Sequence, residues 1–183
     1  SHLPEAVRGL ETHPVACYAS EPFNHYINLR GMEQAFIDLV AAPDLAHYIL
    51  DTLFDLFYVR LERIFETIPG VITYTNVAED LGSQSNVLFS LDQIREFLLP
   101  GMERMMDLTH NAGAYVFTHS DGAIRDAIPA LIETGTQILN PIQWRCKGME
   151  REGLKRDFGD KLIFHGAMDN QHTLSFGAID EVR

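Results

Sequence analysis

The chain has 183 residues, 46% of them hydrophobic and 22% charged, enough apolar surface for one packed domain and too much for a disordered or collagen-like chain. Its formal net charge is -12 and its 14 Lys and Arg are scattered, which argues against nucleic acid and against an anionic membrane surface as partners. No apolar run is long enough to cross a bilayer, and the N-terminus SHLPEAVRG lacks the basic and apolar regions of a signal peptide. Cys17 and Cys146 form no CxxC pair, so neither a disulfide framework nor a structural zinc knot is expected, and a reducing cytoplasm is the expected compartment.

Taken in chain order, VACYAS (15–20) is the first run of strand type. Pro43 and Asp44 open a long apolar-rich helix reaching about Phe65, with proline in the first turn and a carboxylate at the positive helix end. GVITYT (70–75) is the second strand run. Ser90 and Gln93 have the spacing of a capping box, and the helix they open meets Pro100, expected to kink it, before Gly113 stops it. The third, fourth and fifth strand runs are AYVFTHS (114–120), QILNPIQ (137–143) and KLIFHGA (161–167). Helical segments at 124–134 and 149–158 separate them, with Gly135 and Gly159 as expected left-handed C-terminal caps. Ser175 to Arg183 reads as a helix entry.

These strand runs are apolar almost throughout, as strands covered on both faces by helices should be. From Tyr115 to Ile138 to Leu162 the starts advance by about 24 residues, roughly one strand-plus-helix unit of a parallel barrel. The fold expected is α/β, a (β/α)8 TIM barrel present as one partial domain over residues 1–183, because five strand runs fall short of the eight a closed barrel needs. A five-stranded doubly wound sheet is the alternative, although no GxGxxG or GxxxxGK[ST] loop follows any strand.

In such barrels the reacting groups project from the C-terminal strand ends. Four consecutive strand ends here carry Asn76, Glu79, Asp80 and Gln84; then His119, Ser120 and Asp121; then Asn140 and Gln143; then His165, Asp169 and Gln171. A solvated loop is also polar, but the coincidence at four ends favours an active site. His119 and Asp121 suit a divalent Zn, Mn, Fe or Ni ion, with Glu79, Asp80 or His165 as a third ligand. Equally, His119 can bond a neighbouring strand-end carbonyl while Asp121 caps the helix beginning near Ala123, and spacing alone leaves both open. Glu79 and Asp80 can split their pKa values for acid–base work, yet successive residues of an extended chain point oppositely, so at most one is expected to face the site. Gln84, Asn140, Gln143, His165 and Asp169 are the candidates for holding a small-molecule substrate. Cys146 reads as an exposed thiol or a small, partly buried hydrophobe, His47 and His110 as surface residues on helices, and Arg30, Arg145 and Lys147 as carboxylate binders or solvated cations.

The segments PFNHYINLRGMEQAFIDLVAAPDL, EDLGSQSNVLFSLDQIREFLLPGMERM, THSDGAIRDAIPALIETGTQILNPIQ and FGDKLIFHGAMDNQHTLSFGAIDEVR, in that order and spacing, resemble the uroporphyrinogen decarboxylase superfamily, which also contains cobalamin-linked methyltransferases. The resemblance implies a (β/α)8 barrel of which this chain is the central to C-terminal part, incomplete at both ends. The decarboxylase's N-terminal arginine-bearing motif and late catalytic histidine segment are not visible. Methyltransferases of the superfamily carry a His-x-Cys-Gly element whose His and Cys bind a zinc that activates a thiol; here the element is His119-Ser120-Asp121-Gly122. Aspartate in place of cysteine leaves more positive charge on the metal, which suits an oxygen atom better than a thiolate. The resemblance therefore implies methyl transfer from an ether or alcohol, with His119 and Asp121 on a divalent metal, zinc foremost, Glu79 or Asp80 orienting or protonating the substrate, and a corrinoid carried by a partner protein. Decarboxylation of a carboxylated tetrapyrrole, which needs no metal or cofactor, is the alternative; a non-catalytic binding protein is a third. Members of the superfamily often form homodimers.

Overall fold

The computed structural model describes residues 2–182, the side chains of residues 19 and 20 apart. In chain order it has α1 (Leu3–Ala6), β1 (Ala16–Ser20), α2 (Pro22–Arg30), α3 (Met32–Ala41), α4 (Pro43–Thr67), β2 (Tyr74–Val77) and α5 (Leu91–Gln93), which runs through a π-helical turn (Ile94–Leu98) into α6 (Leu99–Asn111). Then come β3 (Tyr115–His119), a 3-10 turn (Arg125–Ala127), α7 (Ile128–Thr134), β4 (Ile138–Asn140), α8 (Arg151–Phe158), β5 (Ile163–Phe164), α9 (Thr173–Phe176) and α10 (Ile179–Val182). Arg183, the last residue of the expected C-terminal helix entry, lies outside the described residues. Among the described residues no helix is long and apolar enough to cross a membrane.

The five strands form one parallel sheet in the order β1-β2-β3-β4-β5. Because parallel crossovers are right-handed, an order that never reverses sends the crossover helices to one face. A doubly wound sheet needs a reversal, so that alternative is excluded. The register agrees: Cys17, Thr75 and Val116 align across β1, β2 and β3, as do Thr118, Leu139 and Phe164 across β3, β4 and β5. Apart from the half-buried Phe164, these are buried, in one core with Leu50, Phe54 and Leu61 of α4 and Met102, Met105 and Met106 of α6.

Residues of opposite parity face the other way, and there the expectation of two covered faces fails. Tyr18, Tyr115 and Ile163 are 53%, 52% and 58% exposed. The apolar runs that suggested helices on both sides reflect one helix-covered face and one open face lined with large side chains, the arrangement of strands that wind one way only.

Local signals explain most boundaries. Ser90 and Gln93 form the expected capping box, Ser90 Oγ accepting from Gln93 N–H and Gln93 Oε1 from Ser90 N–H. Ahead of Pro100 the helix widens into the π-helical turn instead of breaking, which absorbs the proline ring and its missing donor, and α6 continues to Asn111. Gly135 ends α7 at φ +122, whereas Gly159 keeps a right-handed φ of -72 and is not the left-handed cap expected. β2 begins later than its predicted run, because Gly70 sits in a turn at φ +72 and Ile72 packs into the core before the ladder starts.

The helical hairpin of α2 and α3 was not expected from periodicity. Buried Asp38 ties it together, accepting from Tyr26 Oη at 2.9 Å, Arg30 Nε at 2.8 Å and Gln34 Nε2 at 2.7 Å. Hydrogen bonds from Arg30 and then Gln34 hold the Asp38 carboxyl well below the usual carboxylate range.

The loops after β2 and β3 touch backbone to backbone. A Cβ on Gly122, whose φ is +88, would lie 2.5 Å from the carbonyl carbon of Gly82, and a Cβ on Gly82 would lie 2.6 Å from Asp121 O. Ala123 N–H donates to Ser83 O at 2.7 Å, and Leu81 N–H to the buried Ser120 Oγ at 2.9 Å. Gly122→Ala should cost about 2–4 kcal/mol from the clash and the backbone conformation together. Gly70→Ala, also at positive φ but with nothing near its Cβ, should cost only about 1 kcal/mol. Urea midpoints of the two variants check this; equal losses would mean the loop contact adds nothing.

Candidate active site

His119 ends β3 and stands in register with Asn140, which ends β4, so the sheet ladder sets these two side chains beside each other on the open face. Nδ1 of His119 lies 2.8 Å from Asn140 Oδ1, and Asn140 Nδ2 lies 2.8 Å from His165 Nδ1. His119 is thus bonded to a side chain of the next strand instead of the strand-end carbonyl considered from sequence.

The loop after β2 brings Asp80 onto this row. Its Oδ1 accepts from Asp121 N–H at 3.0 Å and lies 3.8 Å from His119 Nε2. Asp80, His119 and Asp121 each offer a ligand atom within 4.8 Å of the others. The 3-10 turn that follows has no side-chain cap, so the Asp121 carboxylate is not used as one. Partial burial, and then repulsion from Asp80, raise the Asp121 carboxyl above its ordinary value, with His119 opposing.

Glu79 points the other way, as alternation in an extended chain requires. It is buried, and its Oε1 accepts from Phe23 N–H at 2.9 Å at the start of α2. Burial pushes its carboxyl well above the usual range, with Glu21 and Asp80 adding repulsion and the Phe23 N–H working against both.

The remaining expected residues take other positions. Gln143 Oε1 accepts from Gly122 N–H at 2.8 Å and so anchors the His119–Gly122 loop. Buried Cys146 points its Sγ at Gln84 Oε1, 3.5 Å away, and burial pushes its thiol up, the inert of the two readings. Asp169 is not on the histidine row. It pairs with Arg145 and caps the turn into α9, accepting from Gln171 and His172 N–H at 3.1 Å. Partial burial acts to raise its carboxyl, but Arg145 and those amides outweigh it and hold it down at about 2. Trp144 lies between Arg145 and Arg151, whose guanidinium carbons stand 4.4 and 4.5 Å from ring centroids. The recess among Gln143, Trp144, Cys146 and Asp169 has a volume of about 20 Å³, room for a water and not for a substrate.

With this arrangement in view, the comparisons decide the family. The uroporphyrinogen decarboxylase (URO-D) family model matches residues 5–183. The chain belongs to the uroporphyrinogen decarboxylase family. Among solved structures, a methyltransferase from Methanosarcina mazei superposes with a TM-score of 0.62 at 16% sequence identity, covering 82% of this chain and 42% of that one. At that identity the likeness concerns the fold, and the chain spans less than half the length of that neighbour. A comparison with curated proteins finds no match.

Within this uroporphyrinogen decarboxylase family member, Tyr18 escaped sequence reasoning, while Ser120 and Asn76 were noted as polar strand-end residues without the positions they take. Ser120 links the two loops through Leu81 N–H, and Tyr18 Oη donates to Glu21 beside the acids. Asn76 shares the open face, aligned with Tyr18 and Phe117, and its Oδ1 is buried with no hydrogen-bond partner.

The Glu79 environment has a measurable sign. A carboxyl raised in the folded state binds its proton more tightly there, so stability falls as pH rises above the unfolded value, near 4.5, toward the folded one. Glu79→Gln keeps the Oε1 acceptor and removes this loss. The variant should gain stability relative to the parent as pH is raised from 4 to 8, read from paired urea melts; a pH-independent difference would show that Glu79 is ionised in the fold.

Proposed function

We propose that this chain contributes the strand-end site of a (β/α)8 barrel enzyme, a metal-assisted methyltransferase moving a methyl group from the oxygen of a small substrate to a corrinoid on a partner protein. The reading is carried by the trio of Asp80, His119 and Asp121 with ligand atoms within 4.8 Å of one another. One imidazole and two carboxylates suit zinc or another first-row divalent ion, and a cation there would offset both the burial and the repulsion from Asp80 that raise Asp121. The bound ion would supply Lewis acidity to a substrate oxygen.

The chain's own groups divide the other tasks. Asp80, the exposed member of the acid pair, orients the substrate, while burial holds the carboxyl of Glu79 well above its usual range, so that it keeps its proton to a higher pH than a free carboxylate does. A bound corrinoid would supply the electron pair that takes the methyl group; the carbon–oxygen pair would stay on the substrate oxygen, which would be protonated from solvent at the exposed rim.

One observation favours this over decarboxylation of a carboxylated tetrapyrrole. A polycarboxylate calls for free guanidinium groups, and Arg30 and Arg145 are already engaged by Asp38 and Asp169. Elemental analysis after loading with zinc should give about one ion per chain in the parent protein. Asp80→Asn should weaken retention at least about tenfold, and His119→Ala/Asp121→Ala should abolish it. A protein that takes up no divalent ion, yet binds a carboxylated tetrapyrrole, would turn the reading to decarboxylation.

A further inference from the structure

We infer that the Asn140 carboxamide imposes opposite tautomers on His119 and His165, and so acts as a positioning residue for the site instead of a substrate contact. The metal consequence of this inference rests on the function proposed above; the tautomers themselves do not.

The main-chain oxygen of His165 can only accept, and it lies 3.2 Å from Asn140 Nδ2. The amide nitrogen must therefore face His165, and the amide oxygen must face His119. A flipped carboxamide would set two oxygens against each other. Main-chain bonds hold Asn140 in this place: Ser120 N–H donates to Asn140 O at 2.8 Å, and His165 N–H donates to Leu139 O at 2.9 Å.

Each ring is then decided. Asn140 Oδ1 can only accept, so at 2.8 Å the His119 Nδ1 carries a hydrogen, and a neutral ring has its lone pair on Nε2. That atom is the one 3.8 Å from Asp80. On the other side Asn140 Nδ2 donates to His165 Nδ1 at 2.8 Å, so Nδ1 has the lone pair and Nε2 the hydrogen. A histidine side chain in water favours the Nε2–H form. Asn140 thus reverses the intrinsic preference at His119, freeing the ligand atom among the acids, and reinforces it at His165, whose exposed ring is set against Phe117 with centroids 5.2 Å apart. His165 therefore presents an N–H at the rim, matched to an oxygen acceptor of the substrate.

Two-bond proton–nitrogen correlation spectra of the metal-free, ¹⁵N-histidine-labelled chain at alkaline pH read both tautomers directly. The parent should show Nδ1–H at His119 and Nε2–H at His165. In Asn140→Asp both side-chain oxygens only accept, so His119 should keep Nδ1–H while His165 switches to Nδ1–H. Asn140→Leu should return His119 to Nε2–H and weaken zinc binding by about 10- to 100-fold, the usual effect of losing a group that orients a ligand histidine. An Nε2–H pattern at His119 in the parent, or an unchanged His165 in Asn140→Asp, would overturn the inference. The expected tautomers in a chain that binds no zinc would uphold Asn140's role and reject the metal reading, so the two fail separately.

Discussion

Neighbouring parallel strands deliver their loops to the same rim, but loops touch only where no side chain holds them apart. At Gly82 and Gly122 the backbones approach so closely that a methyl group on either would collide with the other loop. The rest of the site depends on that contact. It lets Leu81 reach Ser120, Ala123 reach Ser83, and the Asp80 carboxylate accept from Asp121 N–H. Moving the loops apart by the width of one methyl group would break these bonds and separate Asp80 from His119 and Asp121.

The acids of this chain fall into two groups with different physics. Asp38 and Asp169 each have a guanidinium partner and are driven down in pKa; they hold a helical hairpin and a turn. Glu79 and Asp121 crowd with Asp80 at the strand ends and are driven up by burial and mutual repulsion. A fold that spends its arginines elsewhere and leaves carboxylates facing one another maintains local strain, and such sites are where chemistry is usually found. The overall charge of -12 says little about this; the pairing pattern does.

Much of the sheet was legible in the sequence. β3 and β4 lie inside their predicted runs because dense β-branched and aromatic residues are bounded by Gly113 and Gly135. The opposite orientations of Glu79 and Asp80 also followed from strand alternation alone. Less was legible where tertiary contacts decide. The stretch Pro22–Arg30 has no clear apolar stripe, and its hairpin is held by one buried carboxylate that periodicity does not register. Asp80 stood among three candidates for a third ligand, because the bond that selects it spans 41 residues and depends on the glycine contact. Asn140 was expected to touch substrate; its bonds to both histidines arise from strand register, which no local spacing encodes.

The placement of Trp144 has a consequence of a different kind. It is the one tryptophan of the chain, and two guanidinium groups flank its ring beside the loops that follow β4 and β5. Indole emission responds to nearby charge, and Arg145 couples that ring to Asp169 and the turn into α9. The chain therefore carries its own optical reporter, located at the rim where the loop after β4 meets the start of α8. Light selected for tryptophan follows the ordering of these loops, while the tyrosines follow the sheet and helices beneath.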